Sequence, residues 1–416
     1  MTRAVRPSRA LILLAVVLVA LNMRGSITAV PPLLPELTSD LGITRSTAGL
    51  LTSVPVLFFA LAAPLSAWLG RRFGAGHAVL LGITLILIGS IGRVLHGTPV
   101  LFLGTAVIGL GITIANILVP VVIKRDFGSQ AGRVTGYFVA TMAIGATATS
   151  AFAVPLAGRI EWRGALAVGA VLAPVALVGW WLHVTRHERR EKAAATAARN
   201  AAATAATGVA TQTPAAGASH SDRYVWRLPL AWAISLAFGS QSALFYSMTT
   251  WMPSILVDRA ALSTGTAGVA LSIYQITAIP TALTVASLCR LRPSQGWLGA
   301  LLATGWLVFV LGLLLLPTLW PLWAVLGGLA QGGGFTYVLT LMVLRGSDEH
   351  VVRALGSMAQ LIGYLIAAAG PFVIGWLAQT TGGWTAPGML FIALAATLGL
   401  MSLLAGRDET IEAPAR

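Results

Sequence analysis

Arg24 lies 15 residues after Arg9 and 12 before Glu36, in a stretch with no other charged residue. At the 1.5 Å rise of an α-helix those intervals are roughly 22 Å and 18 Å. In a helix that crosses a membrane, an arginine side chain cannot snorkel that far, and its central placement costs on the order of 3 kcal/mol or more. Arg24 must therefore face a polar cavity or a polar partner. That partner is not a carboxylate within the apolar stretches, because all thirteen acidic residues, from Glu36 and Asp40 to Glu409 and Glu412, stand at their ends or between them. A guanidinium so placed can cap carbonyls of a broken neighbouring helix. It can equally offer its planar fork of donors to an anion or strongly polar solute, the use that intramembrane charge favours by default.

Helix spacing selects the side chains that would complete such a site. Gln360 and Tyr364 are one turn apart, as are Ser242 and Tyr246, with Gln241 beside them. Asn22 lies near Arg24, Gln275 falls inside another apolar stretch, and Asn116 precedes Pro120 by one turn, where the proline frees a carbonyl. Together with Arg24 these residues are expected to surround a small ligand. Each has a competing use as hydrogen-bond glue between helices, and Gln331, next to Gly332-Gly333-Gly334, belongs to close packing.

Other chemistries find no support. Cys289 is the only cysteine, and no spacing of Cys and His offers a metal set. The glycines form no phosphate or dinucleotide loop between strand and helix, so no cofactor or ATP is expected. A membrane enzyme would need a nucleophile with a base at depth, and the one deep histidine is His183, near the end of its stretch.

The elements that must position these residues are membrane helices. The chain is 56% apolar and 10% charged, with mean hydropathy +0.83, which no soluble domain of 416 residues could cover with polar surface. Twelve stretches of about 20 residues or more can each span a bilayer, from residues 9–35 to 384–405. The charged start and apolar run of the first one resemble a signal peptide, but no small-residue cleavage site follows, and a retained first helix is expected. Residues 185–228 begin with charges and continue as an Ala/Thr-rich tract unable to bury a core, which makes them a linker between bundles 1–184 and 229–416. With both termini cytoplasmic, inner segments hold 21 Lys and Arg and outer loops hold five, namely Arg45, Arg93, Arg159, Arg163 and Arg259. The formal charge of +14 therefore sets topology and meets anionic lipid, and nucleic acid is excluded.

The halves repeat. Arg125, Arg133 and Gly136 recur as Arg345, Arg353 and Gly356 at an offset of 220, and Thr47-Ala48-Gly49 recurs as Thr266-Ala267-Gly268 at 219. Six plus six helices in parallel repeat form two bundles that rock around a midplane site.

Four blocks carry a family resemblance: Asn22-Met23-Arg24 with Pro32-Leu33-Leu34-Pro35; Asn116, Pro120, Lys124 and Arg125; Gln241 to Tyr246 with Trp251 and Pro253; and Met358-Ala359-Gln360 with Gly363-Tyr364. With them the chain resembles the major facilitator superfamily and, within it, the cyanate and nitroimidazole permeases. The resemblance implies an all-α membrane fold, a monomer, and a carrier for a cyanate-like anion or nitroimidazole-like solute. Arg71, in Arg71-Arg72-Phe73-Gly74, stands where the superfamily carries an Asp between its second and third helices, so another contact must close that side. Arg71, Arg72, Lys124, Arg125, Arg133, Arg345 and Arg353 are read as gate or loop-packing residues, with ion pairing or orientation the role favoured for Lys124. An exporter of hydrophobic drugs is the rival within transport, for which membrane carboxylates and an apolar cavity are more usual.

Overall fold

The computed structural model describes residues 9–168, 170–186 and 222–412, so most of the linker and the N-terminal Arg3 and Arg6 lie outside the described residues. Among the described residues nine helical stretches are long and apolar enough to cross a membrane, or ten with the pair Arg45–Leu61 and Ala63–Phe73, which bends by 56°. One of the nine, Arg133–Arg186, holds two crossings, because Ile160 and Glu161 leave helical geometry, Glu161 with φ of 60°. Pro229–Ala260 has the length of a crossing but carries Ser, Thr and Gln in place of aliphatic residues, and most of it is buried by its neighbours. That makes twelve crossings among the described residues.

In chain order α1 is Arg9–Thr28, continued past a 3₁₀ turn at Pro31–Leu33 by Leu34–Leu41, and α2 is the bent pair. Then come α3 (Ala75–Gly92), α4 (Thr98–Phe127), α5 and α6 on either side of the Ile160 fold, and α7 (Pro229–Ala260). The rest are α8 (Thr264–Ile276 and Ala278–Leu288), α9 (Gly296–Leu315), α10 (Trp320–Leu344), α11 (Glu349–Thr381) and α12 (Thr385–Ala405). Helices such as α3 and α9 are apolar on every side, so their outward faces meet lipid and not water. The protein is a multi-pass membrane protein.

The repeated Thr-Ala-Gly segments build matching joints. Thr44 caps α2 by accepting from Thr47 N, and Ser263 caps α8 by accepting from Thr266 N. One turn on, Gly49 lies so close to α11 that a Cβ would stand 2.5 Å from Pro371 O, and a Cβ on Gly268 would stand 2.9 Å from Ser150 O of α5. Ser272 Oγ donates to Thr147 O at 3.0 Å in the same seam. The two halves thus meet through α2 with α11 and α8 with α5, at the end of the molecule away from the chain termini.

Toward the terminal end they part. A Cβ on Gly136 or on Gly356, the repeated glycines that open α5 and α11, would find nothing within 4 Å. On α11, Arg353, Ser357 and Gln360 form an exposed polar stripe, whereas the exposed apolar residues Leu365, Phe372 and Trp376 lie about a third of a turn round the helix. The polar stripe faces the gap between the halves and the apolar one faces lipid.

Candidate functional site

Prolines create the local structure that carries Arg24. Pro31 and Pro32 have no N–H to give to the preceding turn, so α1 stops at Thr28 and its last carbonyls need other donors. Val30 N takes Ile27 O in a 3₁₀ turn at 3.3 Å, and Ser150 Oγ of α5 donates to Thr28 O at 3.2 Å. Ser26 O receives Arg93 Nη1 at 2.6 Å, while Arg93 Nη2 donates to Leu166 O at 3.4 Å. Arg93 is 1% exposed. Counted above among the outer loops, it instead packs inside the protein at the end of α3. The Pro-Pro pair announced orphaned carbonyls, but nothing in the sequence tells which residue feeds them.

Arg24 sits just before this break, half-buried, with its guanidinium carbon 5.1 Å from the ring centroid of Phe245 on α7. Among the described residues its side chain makes no hydrogen bond and no ion pair. The offset that relates Pro32 to Pro253, 221 residues, also relates Arg24 to Phe245, so the cation of one half stacks on the ring that replaces it in the other.

Tyr246 and Tyr364 are half-buried with hydroxyls that accept and donate nothing among the described residues, and Phe59 of α2 touches both rings. Phe59 was not foreseen: an apolar residue in an apolar helix gives no signal. Asn116 on α4 is half-buried and Gln360 exposed, both without hydrogen bonds among the described residues. Gln275 is buried with an unpartnered amide nitrogen. Asn22 is also buried, with Nδ2 turned back to Leu18 O at 2.7 Å and Oδ1 unpartnered.

Gln241 departs from its expected role. It is 0% exposed, gives Nε2 to Gln331 O at 3.1 Å and accepts from Trp306 Nε1 at 3.0 Å, tying α7 to α9 and α10 within one half. It is interhelical glue, the other use open to a membrane glutamine.

The basic residues divide. Arg71, Arg72, Lys124, Arg133 and Arg353 are exposed at the open end, without an ion pair among the described residues. Arg125 pairs with Asp126 at 2.7 Å, and Asp126 also meets His183 at 3.1 Å, which fastens α4 to α6. Arg345 is buried: Nε donates to Ala405 O at 3.0 Å, Nη2 donates to Gln295 Oε1, and its own carbonyl receives Ile411 N at 2.7 Å. It packs a loop and the C-terminal segment.

A profile of the Major Facilitator Superfamily matches residues 12–304. The 2-nitroimidazole transporter of Escherichia coli (strain K12) is 34% identical over 406 residues, 97% of this chain and 97% of that protein. The cyanate transport protein CynX of the same organism is 30% identical over 375 residues, 89% of this chain and 91% of that protein. Among solved structures, a bacterial homologue of the human lysosomal transporter Spinster, inward-facing and unoccupied, matches with a TM-score of 0.71 at 16% identity, over 99% of this chain and 100% of that one. At that identity the likeness is one of fold.

Proposed function

The chain belongs to the major facilitator superfamily and is a small-solute transporter, and on that premise we propose that it binds an anion or strongly polar solute at Arg24 and exposes it alternately to the two sides of the plasma membrane. The observation that carries this reading is the half-buried guanidinium without a hydrogen bond or ion pair among the described residues, placed where the two halves meet the open gap. The groups around it, Tyr246, Tyr364, Asn116, Gln275 and Gln360, offer hydroxyl or amide hydrogens to an anion. Gln241 takes no part, and Asn22 contributes at most its free Oδ1.

The bundles are residues 1–184 and 229–416, joined by the linker, in one monomeric chain. The bias of Lys and Arg puts the termini in the cytoplasm, and taking Arg93 out of the outer loops leaves four there against 21 inside. The open end is then cytoplasmic. The acids stay outside the apolar stretches, so transport is facilitated diffusion or is coupled through the substrate's own protonation. The similarity to cyanate and 2-nitroimidazole transporters names the first solutes to try.

The test is uptake by proteoliposomes holding wild-type protein or Arg24→Ala, with cyanate, nitrate, 2-nitroimidazole and a hydrophobic cation as solutes. Removal of a charge that pairs with a desolvated anion lowers affinity by about 2–5 kcal/mol, so uptake of the anionic solute falls at least about thirtyfold. Uptake at the wild-type rate by Arg24→Ala would refute the reading.

A further inference from the structure

Besides Arg24 and Asn116, the N-terminal half brings an aromatic ring to the site, that of Phe59. Its ring meets Tyr364 nearly edge-on at 5.5 Å and Tyr246 at 6.2 Å, across the join of the halves. Tyr246 lies 4.8 Å from Phe245, over which the Arg24 guanidinium is stacked, and Tyr364 lies 5.2 Å from Phe238. A chain of ring contacts thus joins α1, α2, α7 and α11 beside the Arg24 cation, with Tyr246 and Tyr364 half-buried and Phe59, Phe238 and Phe245 buried behind them.

The charge and shape of this space restrict what fits. Arg24 supplies one positive charge, while the buried Arg93 and Arg345 are occupied by backbone carbonyls and Gln295. A monoanion leaves the site neutral, whereas a dianion leaves a charge uncompensated where water is scarce. A small, strongly hydrated anion would exchange its water for ring surface, which is unfavourable. A planar group with a delocalised charge at one edge suits both parts: the edge enters the guanidinium fork and the face packs on the rings.

We infer that the site is built for a planar monoanion carried on an unsaturated ring, an aromatic carboxylate being the simplest member, and that Phe59 is the residue that selects it. This rests on the reading of Arg24 as the anion-binding group. Phe59 adds ring contact from the half that otherwise offers a charge and an amide, so its loss removes preference for flat ligands and leaves attraction for charge.

Benzoate and cyclohexanecarboxylate separate these contributions, since they share charge and approximate size and differ in planarity. Affinities are measured by calorimetry on the full-length protein in nanodiscs. Benzoate should bind about threefold to tenfold more tightly than cyclohexanecarboxylate, the range that a ring–ring contact adds. Phe59→Leu, which nearly conserves volume, should bring that ratio to about one, Phe59→Tyr should keep it, and Arg24→Gln should remove binding of both acids. Equal affinities in the wild type, an unchanged ratio in Phe59→Leu, or binding of cyanate with neither acid would overturn the inference while leaving the Arg24 reading intact. Unchanged benzoate binding by Arg24→Gln would overturn that reading instead. If Phe59→Leu does not fold, the wild-type and Phe59→Tyr ratios decide the matter.

Discussion

Arg45 of α2 and Asp258 at the end of α7 pair across the two halves at 2.9 Å, and the same Asp258 oxygen accepts from Trp384 Nε1 at 3.0 Å. The N-terminal half holds the matching group: Asp40 accepts from Trp162 Nε1 and pairs with Arg163, each at 3.0 Å. In both places the arginine also lies over the tryptophan ring. The difference is where the arginine comes from. Arg163 is the neighbour of Trp162, whereas Thr385 follows Trp384, so Asp258 draws its cation from the opposite half. One copy of the repeat is an internal clasp and the other a latch between bundles.

The first prediction follows from that asymmetry. Both partners of the latch are partly exposed, so it contributes under about 1 kcal/mol, enough to shift a balanced two-state carrier up to about fivefold. In protein carrying Ser53→Cys, one turn deeper than Gly49, Arg45→Gln should raise labelling from the far side about twofold to fivefold, and high salt should mimic it. Arg163→Gln should leave the labelling rate unchanged. Equal effects of the two variants would remove the latch role.

A second prediction concerns Gly49 and Gly268. A Cβ at Gly49 would stand 2.5 Å from a backbone carbonyl of α11, which no side-chain motion relieves. Alanine favours helix over glycine by about 1 kcal/mol, so Gly49→Ala should fold as well as the wild type. Closure of this end should nevertheless fail, with transport lost at least tenfold, a figure corresponding to about 1.4 kcal/mol, and far-side labelling of Ser53→Cys increased. Thermal unfolding and uptake measured on the same preparation separate folding from closure.

Much of this was legible in the sequence, for identifiable reasons. Membrane helices declare themselves by apolar length, and the offset of 219 between Thr47-Ala48-Gly49 and Thr266-Ala267-Gly268 marks a repeat, whereas the joint those segments build shows only in the fold, through a cap and a close glycine contact. Arg24 stood out because a charge in an apolar stretch requires a reason. Gln241 and Gln360 could not be told apart, since a glutamine that bonds to a neighbouring helix and one that faces a gap differ only in packing. Arg93, at a helix end, read as a loop residue until the fold put Ser26 O beside it.

That distinction gives a third prediction. Gln241→Leu leaves Trp306 Nε1 without a partner and removes the interhelical bond to Gln331 O, and should lower stability by about 1–3 kcal/mol with selectivity unchanged. Gln360→Ala removes an exposed side chain and should alter stability by less than about 0.5 kcal/mol while weakening solute binding. Thermal unfolding and binding calorimetry on both variants check the pair, and a stability loss at Gln360 comparable to that at Gln241 would contradict the assignment.

The repeated glycines at the open end support a fourth prediction. Nothing stands within 4 Å of a Cβ on Gly136 or Gly356 in this conformation, yet each occupies the first turns of a helix whose other end makes the seam. Rocking that opens the far end must bring these first turns toward the opposite bundle. Gly356→Leu should therefore leave the present conformation and its stability nearly unchanged but oppose the other one. Far-side labelling of Ser53→Cys should fall, and solute exchange should slow at least about tenfold, again the equivalent of about 1.4 kcal/mol. Unaltered exchange would show that the glycine is not in the path of closure.

The last prediction turns on Arg93, whose buried charge is met, among the described residues, by the carbonyls of Ser26 and Leu166. Ser26 is two residues beyond Arg24, so the donor that holds Ser26 O also fixes the end of the turn that presents the guanidinium to the site. Lysine keeps the charge at position 93 but is a single point donor that cannot span Ser26 and Leu166 as a planar fork does. Arg93→Lys should lower stability by about 1.5–3 kcal/mol, the range for a hydrogen bond to a charged group. A purely structural defect reduces the amount of folded protein and leaves KM as it was. If Arg93 positions Arg24, KM per folded molecule rises in Arg93→Lys while maximal rate is spared.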